Sequence, residues 1–338
     1  MNVLVTGHTG FKGSWLTLLL AKAGHEVSGI ALDPLPNGVF ERARVGELLK
    51  KEFRADIRDG ALVTNLIQEI QPELVFHLAA QPLVRESYEH PRETLDTNIW
   101  GTLNVVDACL TNESVKRLVV ITTDKVYRNV EKREGYLEDD PLGGDDPYSA
   151  SKACADLLTA TWAHSFGREG LAIATARSGN VIGGGDVSKD RLIPDLLSAF
   201  RQGTPTKIRY PNAVRPWQHV LDALSGYVLL ANYLEKHQSF SAWNFASDEN
   251  NLATVSDVCN TVTDLWGHGP GWVADQEQNP HEAGLLLLNA KKAEKSLGWR
   301  NKLGVKQAIE WTLDWERSVQ SGDPREICYS QIEAYSKI

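Results

Sequence analysis

The apolar positions in the first half of the chain fall into short unbroken runs, separated by longer stretches with helical spacing. "NVLVTG" (2–7) predicts a buried strand, "FKGSWLTLLLAKAG" (11–24) a helix, and "EVSGIALD" (26–33) the next strand. "ELVFHLAA" (73–80), "RLVVITT" (117–123) and "LAIATAR" (171–177) repeat the strand pattern. Runs that are apolar on both faces, alternating with helices, imply right-handed crossovers and a parallel sheet covered on both sides. In such a sheet a ligand lies beyond the carboxyl ends of the strands, so the residues just after each run are the ones that matter.

After about residue 180 this rhythm breaks. "SGNVIGGGDVSKDR" (178–191) is a glycine-rich connection, and "KIRYPNAVRPWQHV" (207–220) reads as irregular or short-strand chain. "WNFAS" (243–247) is a late strand candidate, and helical pattern returns around 289–297 and 305–320. The expected architecture is an α/β fold. It has a Rossmann-type, doubly wound parallel sheet over 1–180 and about 216–250, with a smaller α+β substrate-binding lobe over 181–215 and about 251–338.

A chain of 338 residues is long for a single core, consistent with two lobes, interleaved or not. It is 42% hydrophobic and 23% charged, with no apolar run long enough to span a membrane. The opening "MNVLVTG" enters a strand directly and leaves no room for a signal peptide, so a cytoplasmic protein is expected. Cys109, Cys154, Cys259 and Cys328 are far apart, without metal-ligand or redox spacing, and read as reduced buried thiols with no metal bound. A net charge of −9 argues against a nucleic-acid partner. An anionic ligand then has to be held locally, by backbone amides and a few arginines.

Gly7, Gly10 and Gly13 place G-x-x-G-x-x-G at the first strand-to-helix turn. The first glycine permits the tight turn, the second lets the backbone approach a pyrophosphate, and the third lets helix and strand pack closely. Strand before and helix after supply the context for dinucleotide binding at the helix N-terminus. Asp33, at the end of the second strand, suits the adenosine ribose hydroxyls and repels a 2′-phosphate, favouring NAD. It also fits a plain turn opening "DPLPNG".

Tyr148 and Lys152 lie four apart in "DPYSASK", hence on one helix face. A lysine cation beside a phenol favours phenolate and makes the tyrosine a usable base for a substrate hydroxyl. "ITTDKVY" supplies Thr122 and Thr123 after a strand, where a hydroxyl can bond the same substrate oxygen. Together with the glycine turn this matches a hydride-transfer site.

The glycine turn, "HLAAQ" (77–81), "NIWGT" (98–102), Thr123, Tyr148 and Lys152 resemble the extended short-chain dehydrogenase/reductases that act on nucleotide sugars. "GHTGFKGSWL", "ALDP", "DIRD", "HLAAQPLVR", "TDK", "GNVIGGGD", "DRLIPD", "RPWQHVL" and "HEA" resemble the branch of 4,6-dehydratases that takes CDP-D-glucose, used in making deoxysugars. The resemblance runs from residue 3 to about 300.

The resemblance implies that Thr123, Asp124, Lys125, Tyr148 and Lys152 are catalytic. Asp124 would serve as acid at the departing 6-hydroxyl. The C5 base stays open, because relatives for other nucleotide sugars carry Asp-Glu where this chain has Asp124–Lys125. For NAD the resemblance implies Gly7, His8, Thr9, Gly10, Phe11, Lys12 and Gly13, then Asp33, Asp56 and Ile57. It adds Leu78, Ala79, Ala80, Gln81, Asn98 and Thr122, with Tyr148 and Lys152. For the nucleotide sugar it implies Asn180, Arg191, Leu192, Arg209, Arg215, His281 and Glu282, the arginines suiting phosphate through their planar fork. A homodimer or homotetramer is expected, with the stretches near 92–112 and 148–166 supplying the contact. A nucleotide-sugar 4-epimerase shares Tyr148 and Lys152 and is the alternative; it has no use for an acid such as Asp124.

His8 and Lys12 are unusual in a glycine turn. Lys12 gains from facing an anion. The His8 imidazole is expected to crowd the cofactor, leave it exchangeable, and release that grip in His8→Gly or His8→Ala.

Overall fold

The computed structural model describes residues 1–247, 252–267, 269–277 and 283–338. The first half alternates β1 (Asn2–Thr6), α1 (Phe11–Lys22), β2 (Glu26–Ala31), α2 (Val39–Arg42), β3 (Leu49–Arg54), α3 (Gly60–Ile70) and β4 (Leu74–His77). It continues through α4 (Val84–Glu89), α5 (Pro91–Leu95), α6 (Gly101–Thr111), β5 (Arg117–Ile121), α7 (Pro147–Phe166) and β6 (Ala172–Ser178). The remainder comprises β7 (Val181–Ile182), α8 (Leu192–Arg201), β8 (Thr206–Ile208), β9 (Val214–Arg215), β10 (Gln218–His219) and α9 (Val220–Tyr233). It closes with β11 (Ser241–Phe245), β12 (Ala253–Thr254), α10 (Val255–Trp266), β13 (Trp272–Ala274), α11 (Lys291–Leu297), α12 (Val305–Ser318) and α13 (Pro324–Ser336).

Seven strands form one parallel sheet in the order β11-β6-β5-β4-β1-β2-β3. From β1 the chain first winds outward to β2 and β3, then returns to β4 on the other side. The carboxyl ends of β1 and β4 therefore flank the topological switch point where a ligand crevice opens. Alternate side chains feed two cores: Val3, Val5 and Phe76 face one, while Leu4 and Val75 face the other. The first core runs on into Trp243, Val258, Trp315 and Tyr335, so the late helices pack directly on the sheet.

Two elements differ from the sequence reading. β3 ("LKKEFR") alternates exposed and half-buried residues at the sheet edge, and its charged positions hid it from a search for apolar runs. α13 is held by an Asp323 cap and buries Cys328, Ile332 and Tyr335 in the sheet-side core. The stretch near 92–112 is helical but contains a π-turn at Asp96–Trp100. That bulge turns Asn98 inward, where its amide donates to Gln81 O and Ser151 Oγ. Cys109, Cys259 and Cys328 are free and buried, whereas Cys154 is only half-buried.

Candidate active site

The glycine turn is set by close backbone approach. Gly7 has φ +75°, and a Cβ there would stand 2.7 Å from Ala79 N, where β1 meets the chain leaving β4. A Cβ on Gly13 would fall 2.0 Å from Gly7 O. At Gly10 the nearest atom to such a Cβ is 3.4 Å away, so this is the glycine with open space beside it. α1 begins there with no side-chain cap and no acidic residue in its first turn, leaving N–H groups available to an anion. These features fit a dinucleotide pyrophosphate.

Beyond the strand ends lies a cavity of about 920 Å³. Its inner wall carries Lys12, Leu78, Ala80 and residues 122–125, with Tyr148 and Lys152. Its outer wall carries Asn180, Arg191, Leu192, Arg209 and Arg215. The fold thus collects residues from the ends of four strands and the start of α7. Asp146 caps α7 by accepting from Ser149 N, and Pro147 opens it, which places Tyr148 in the first turn at the cavity.

Tyr148 lies beside Thr123, while Lys152 Nζ donates to Ile121 O at 2.9 Å. Burial dominates both groups. It pushes the phenol up to about 12, against the pull of Thr123 and the field of Arg191. It pulls the lysine down to about 7, helped by Lys12. The expectation of a phenol depressed by its lysine therefore does not describe the resting site. Between those limits the pair holds one proton, on the phenol. The working arrangement, phenolate with ammonium, has the same proton count and is reached by moving that proton.

Asp124 is buried, and burial raises its pKa against the fields of Lys125 and Arg215. Its Oδ1 accepts from Thr123 Oγ1 at 2.9 Å. Its Oδ2 is buried and has no hydrogen-bond partner among the described residues. Lys125 lines the cavity beside it.

Thr122, expected at the cofactor, lines the cavity. Its hydroxyl donates to Asp156 Oδ2 at 2.8 Å. Lys12 lies deep in the cavity, 3.4 Å from the Tyr227 hydroxyl, and burial lowers its pKa to about 8. It faces the catalytic end, within the fields of Arg191 and Asp124.

His8 does not stand alongside the phosphate path. Its ring fills the space left by Gly29 in β2, edge-on to Phe40, with Nε2 3.1 Å from Glu52 Oε1. It is fully buried and is not among the residues lining the cavity. Direct crowding of a ligand in that cavity is therefore not what the ring does; its contact is with the floor beneath the glycine turn.

Other candidate cofactor residues lie outside this lining. Thr9 donates to Leu32 O, and the Phe11 ring packs near Gly183. Asp33 is almost fully exposed, 3.7 Å from Arg54 Nε. Asp56 is held by Arg58, and Ile57 packs on Gly101. Gln81 bonds Asn98 and Thr94. On the outer wall Arg191 pairs with Asp186 at 3.6 Å, and Arg215 Nη2 donates to Ala283 O at 2.7 Å. His281 and Glu282 lie outside the described residues.

The sequence reading did not single out Arg85, which sits inside "HLAAQPLVR" and reaches Asp190 Oδ1 at 2.8 Å across the cavity. It also passed over Asp156, although the spacing 148, 152, 156 marks one helix face.

A crevice at the switch point of a parallel sheet, with a glycine turn at one end and Thr, Tyr and Lys at the other, defines a short-chain dehydrogenase/reductase of the extended type. The chain belongs to the GDP-mannose 4,6 dehydratase family, whose profile matches residues 4–312. It is 43% identical over 336 residues to the CDP-glucose 4,6-dehydratase of Salmonella typhimurium, covering 97% of this chain and 93% of that one. It is 28% identical to a dTDP-glucose 4,6-dehydratase of Xanthomonas campestris pv. campestris, covering 92% of each chain. Among solved structures, MoeE5 in complex with UDP-glucose and NAD superposes with a TM-score of 0.82 at 26% identity, covering 95% of this chain and all of that one. A UDP-glucose-4-epimerase from Stenotrophomonas maltophila superposes at 0.83 with 25% identity, covering 95% and 99%.

Proposed function

We propose that this chain converts CDP-D-glucose to CDP-4-keto-6-deoxy-D-glucose and water, with NAD as its cofactor. The nucleotide sugar lies in the cavity with its hexose against the inner wall and its diphosphate toward Arg191, Arg209 and Arg215. When bound, NAD⁺ supplies the redox chemistry, taking hydride from C4 of the sugar and giving it back at C6. Tyr148, as phenolate, takes the proton from the 4-hydroxyl, while Thr123 holds the same oxygen and Lys152 carries the balancing positive charge. The C4 ketone makes the C5 proton acidic. Lys125 takes that proton, and Asp124 gives its own to the 6-hydroxyl, which leaves as water and a C5–C6 double bond forms. The proton held by Lys125 then returns to C5 as C6 is reduced.

The observation that carries this reading is Asp124. Burial keeps its carboxyl protonated more readily than an ordinary aspartate, and one oxygen has no partner among the described residues. Dehydration needs a proton donor at the 6-hydroxyl, whereas epimerisation at C4 does not. The cytidine preference is supported by the 43% identity to the Salmonella CDP-glucose enzyme, against 28% for the thymidine one. A nucleotide-sugar panel, with and without added NAD⁺, tests it. CDP-glucose should give the strong alkaline absorbance of a 4-keto-6-deoxy sugar. A CDP-hexose isomer as the only product would overturn the dehydratase assignment, and faster turnover of another nucleotide would overturn cytidine.

The same proposal includes a homodimer or homotetramer in the cytoplasm. Exposed Trp100, Leu157 and Phe166, on and beside α6 and α7, support the assembly. Among the described residues, no helix is long and apolar enough to cross a membrane.

A further inference from the structure

Three consecutive residues at the end of β5 and just beyond it each meet one face of α7. Lys152 Nζ donates to Ile121 O, Thr122 Oγ1 donates to Asp156 Oδ2, and Thr123 lies beside Tyr148. Residues 148, 152 and 156 follow one another at helical spacing, so the three contacts form a ladder along one line of the helix. Two rungs belong to the proposed chemistry. The third, Asp156–Thr122, is the most thoroughly braced.

Both Asp156 oxygens are fully used. Arg177 grips them in a fork, Nε to Oδ2 at 2.9 Å and Nη2 to Oδ1 at 2.7 Å, and Thr175 Oγ1 donates to Oδ1 at 3.2 Å. The remaining Arg177 nitrogen donates to the Tyr127 hydroxyl at 2.7 Å and to Glu138 O at 2.9 Å. Tyr127 passes the chain on to Asn244 Oδ1 at 2.8 Å. Asp156 is 1% exposed and Arg177 3%, so the ion pair lies wholly inside the protein. A buried pair is a poor way to gain stability, since apolar side chains of the same volume serve as well. A fully satisfied polar network does, however, fix a single geometry.

We propose that the buried Asp156–Arg177 pair is a positioning device for the reaction: it sets the register of α7 against the end of β5, and its carboxylate supplies the negative charge that sustains Lys152 as a cation. The second half of this statement follows from what surrounds Lys152. From α1 it meets Lys12, a second cation, and from β4 His77, which bonds Thr6 and Thr102 and whose pKa is lowered by burial and by the charge of Lys152 itself. On its own helix it meets Tyr148 and Asp156. Asp156 is the group there that favours the charged lysine. Arg177, from β6, holds that carboxylate in place and tempers its field.

The inference rests on the proposed function for its assay, and the two fail separately. A parent enzyme inactive on CDP-glucose sinks the substrate reading. The ratio of variant to parent, on whichever nucleotide sugar is turned over, addresses the positioning. The experiment measures single-turnover reduction of NAD⁺ and steady-state kcat and KM against pH, for the full chain, beside Tm.

Thr122→Val removes one rung without changing charge. It should lower kcat about tenfold with KM nearly unchanged and the pH profile in place, and Thr122→Ser should restore the rate. Asp156→Asn should lower kcat further, and should move the rising limb, which lies near 7 with Lys152, down by about one pH unit. Thr122→Val at the parental rate would overturn the register role. Asp156→Asn with an unmoved limb would overturn the electrostatic role. If Asp156→Asn does not fold, the limb is read instead in Arg177→Lys, which keeps the charge and should leave it where the parent has it; displacement there would count against the proposal.

Discussion

The two walls of the cavity are built on opposite principles. The inner wall stands on the ends of long buried strands, and its polar groups are tied to backbone or to one another: Lys152 to Ile121 O, Thr123 to Asp124, Thr122 to Asp156. The outer wall stands on two- and three-residue strands, each paired with only one neighbour. Two of its cations are half-exposed and meet carboxylates, Arg191 with Asp186 and Arg85 with Asp190, while a third, Arg215, is buried against backbone carbonyls. Moving a proton or a hydride demands fixed positions to a fraction of an ångström. Admitting and releasing a charged nucleotide demands partners that can be exchanged. The contrast predicts that inner-wall substitutions act on kcat and outer-wall substitutions on KM.

The largest effect should come from Tyr148→Phe. It removes only a hydroxyl, and loss of the base should lower product formation by about 10²–10⁴-fold. Turnover near the parental rate would take the chemistry away from this wall altogether. Asp124→Asn comes next and divides the reaction in two. Without a proton for the 6-hydroxyl, formation of the 4-keto-6-deoxy product should fall by about 10²-fold. Reduction of the cofactor in the first turnover should stay nearly intact, so the absorbance of reduced nicotinamide should persist. Equal loss of both steps would make Asp124 a general support rather than the acid.

On the outer wall, Arg191→Met should raise KM for CDP-glucose by about tenfold, the worth of one charge-assisted contact to phosphate. Its kcat should stay within about twofold of the parent, as expected when uniform binding is lost. A fall in kcat with unchanged KM would erase the distinction between the walls.

The same contrast explains what the sequence disclosed. The strands under the inner wall announce themselves because burial on both faces leaves apolar runs such as "RLVVI". Tyr148 and Lys152 were legible because helix spacing alone puts them on one face. β3 escaped because an edge strand exposes alternate charged residues. The partner of Thr122 was not legible because two adjacent threonines look alike in sequence, and only the fold brings Asp156, two turns along α7 from Tyr148, to the first of them. His8 was read as facing a ligand, since nothing local reveals that Gly29, one strand away, leaves room for its ring. The outer wall was legible only as arginines in a glycine-rich stretch. Which carboxylate each arginine meets is decided by chain far away, 105 residues in the case of Arg85 and Asp190.

That last pair gives the smallest effect and the finest test. Arg85, from α4, and Asp190, in the connection before α8, meet at 2.8 Å with side chains 48% and 33% exposed. Asp190 sits at φ +58°, a left-handed conformation unusual outside glycine, which directs its carboxylate across the cavity. An exposed ion pair of this kind is worth about 0–1 kcal/mol, so neither partner should matter much to stability. Asp190→Asn removes the carboxylate that competes with a diphosphate for the cavity's arginines, so KM should fall, by up to about threefold. Arg85→Met removes a cation from the same place and should raise KM by a similar factor. Opposite shifts would show that the outer wall holds its charges in waiting for the substrate. Shifts of the same sign would make the pair a fixed strut, and this corner of the outer wall would then be built like the inner one.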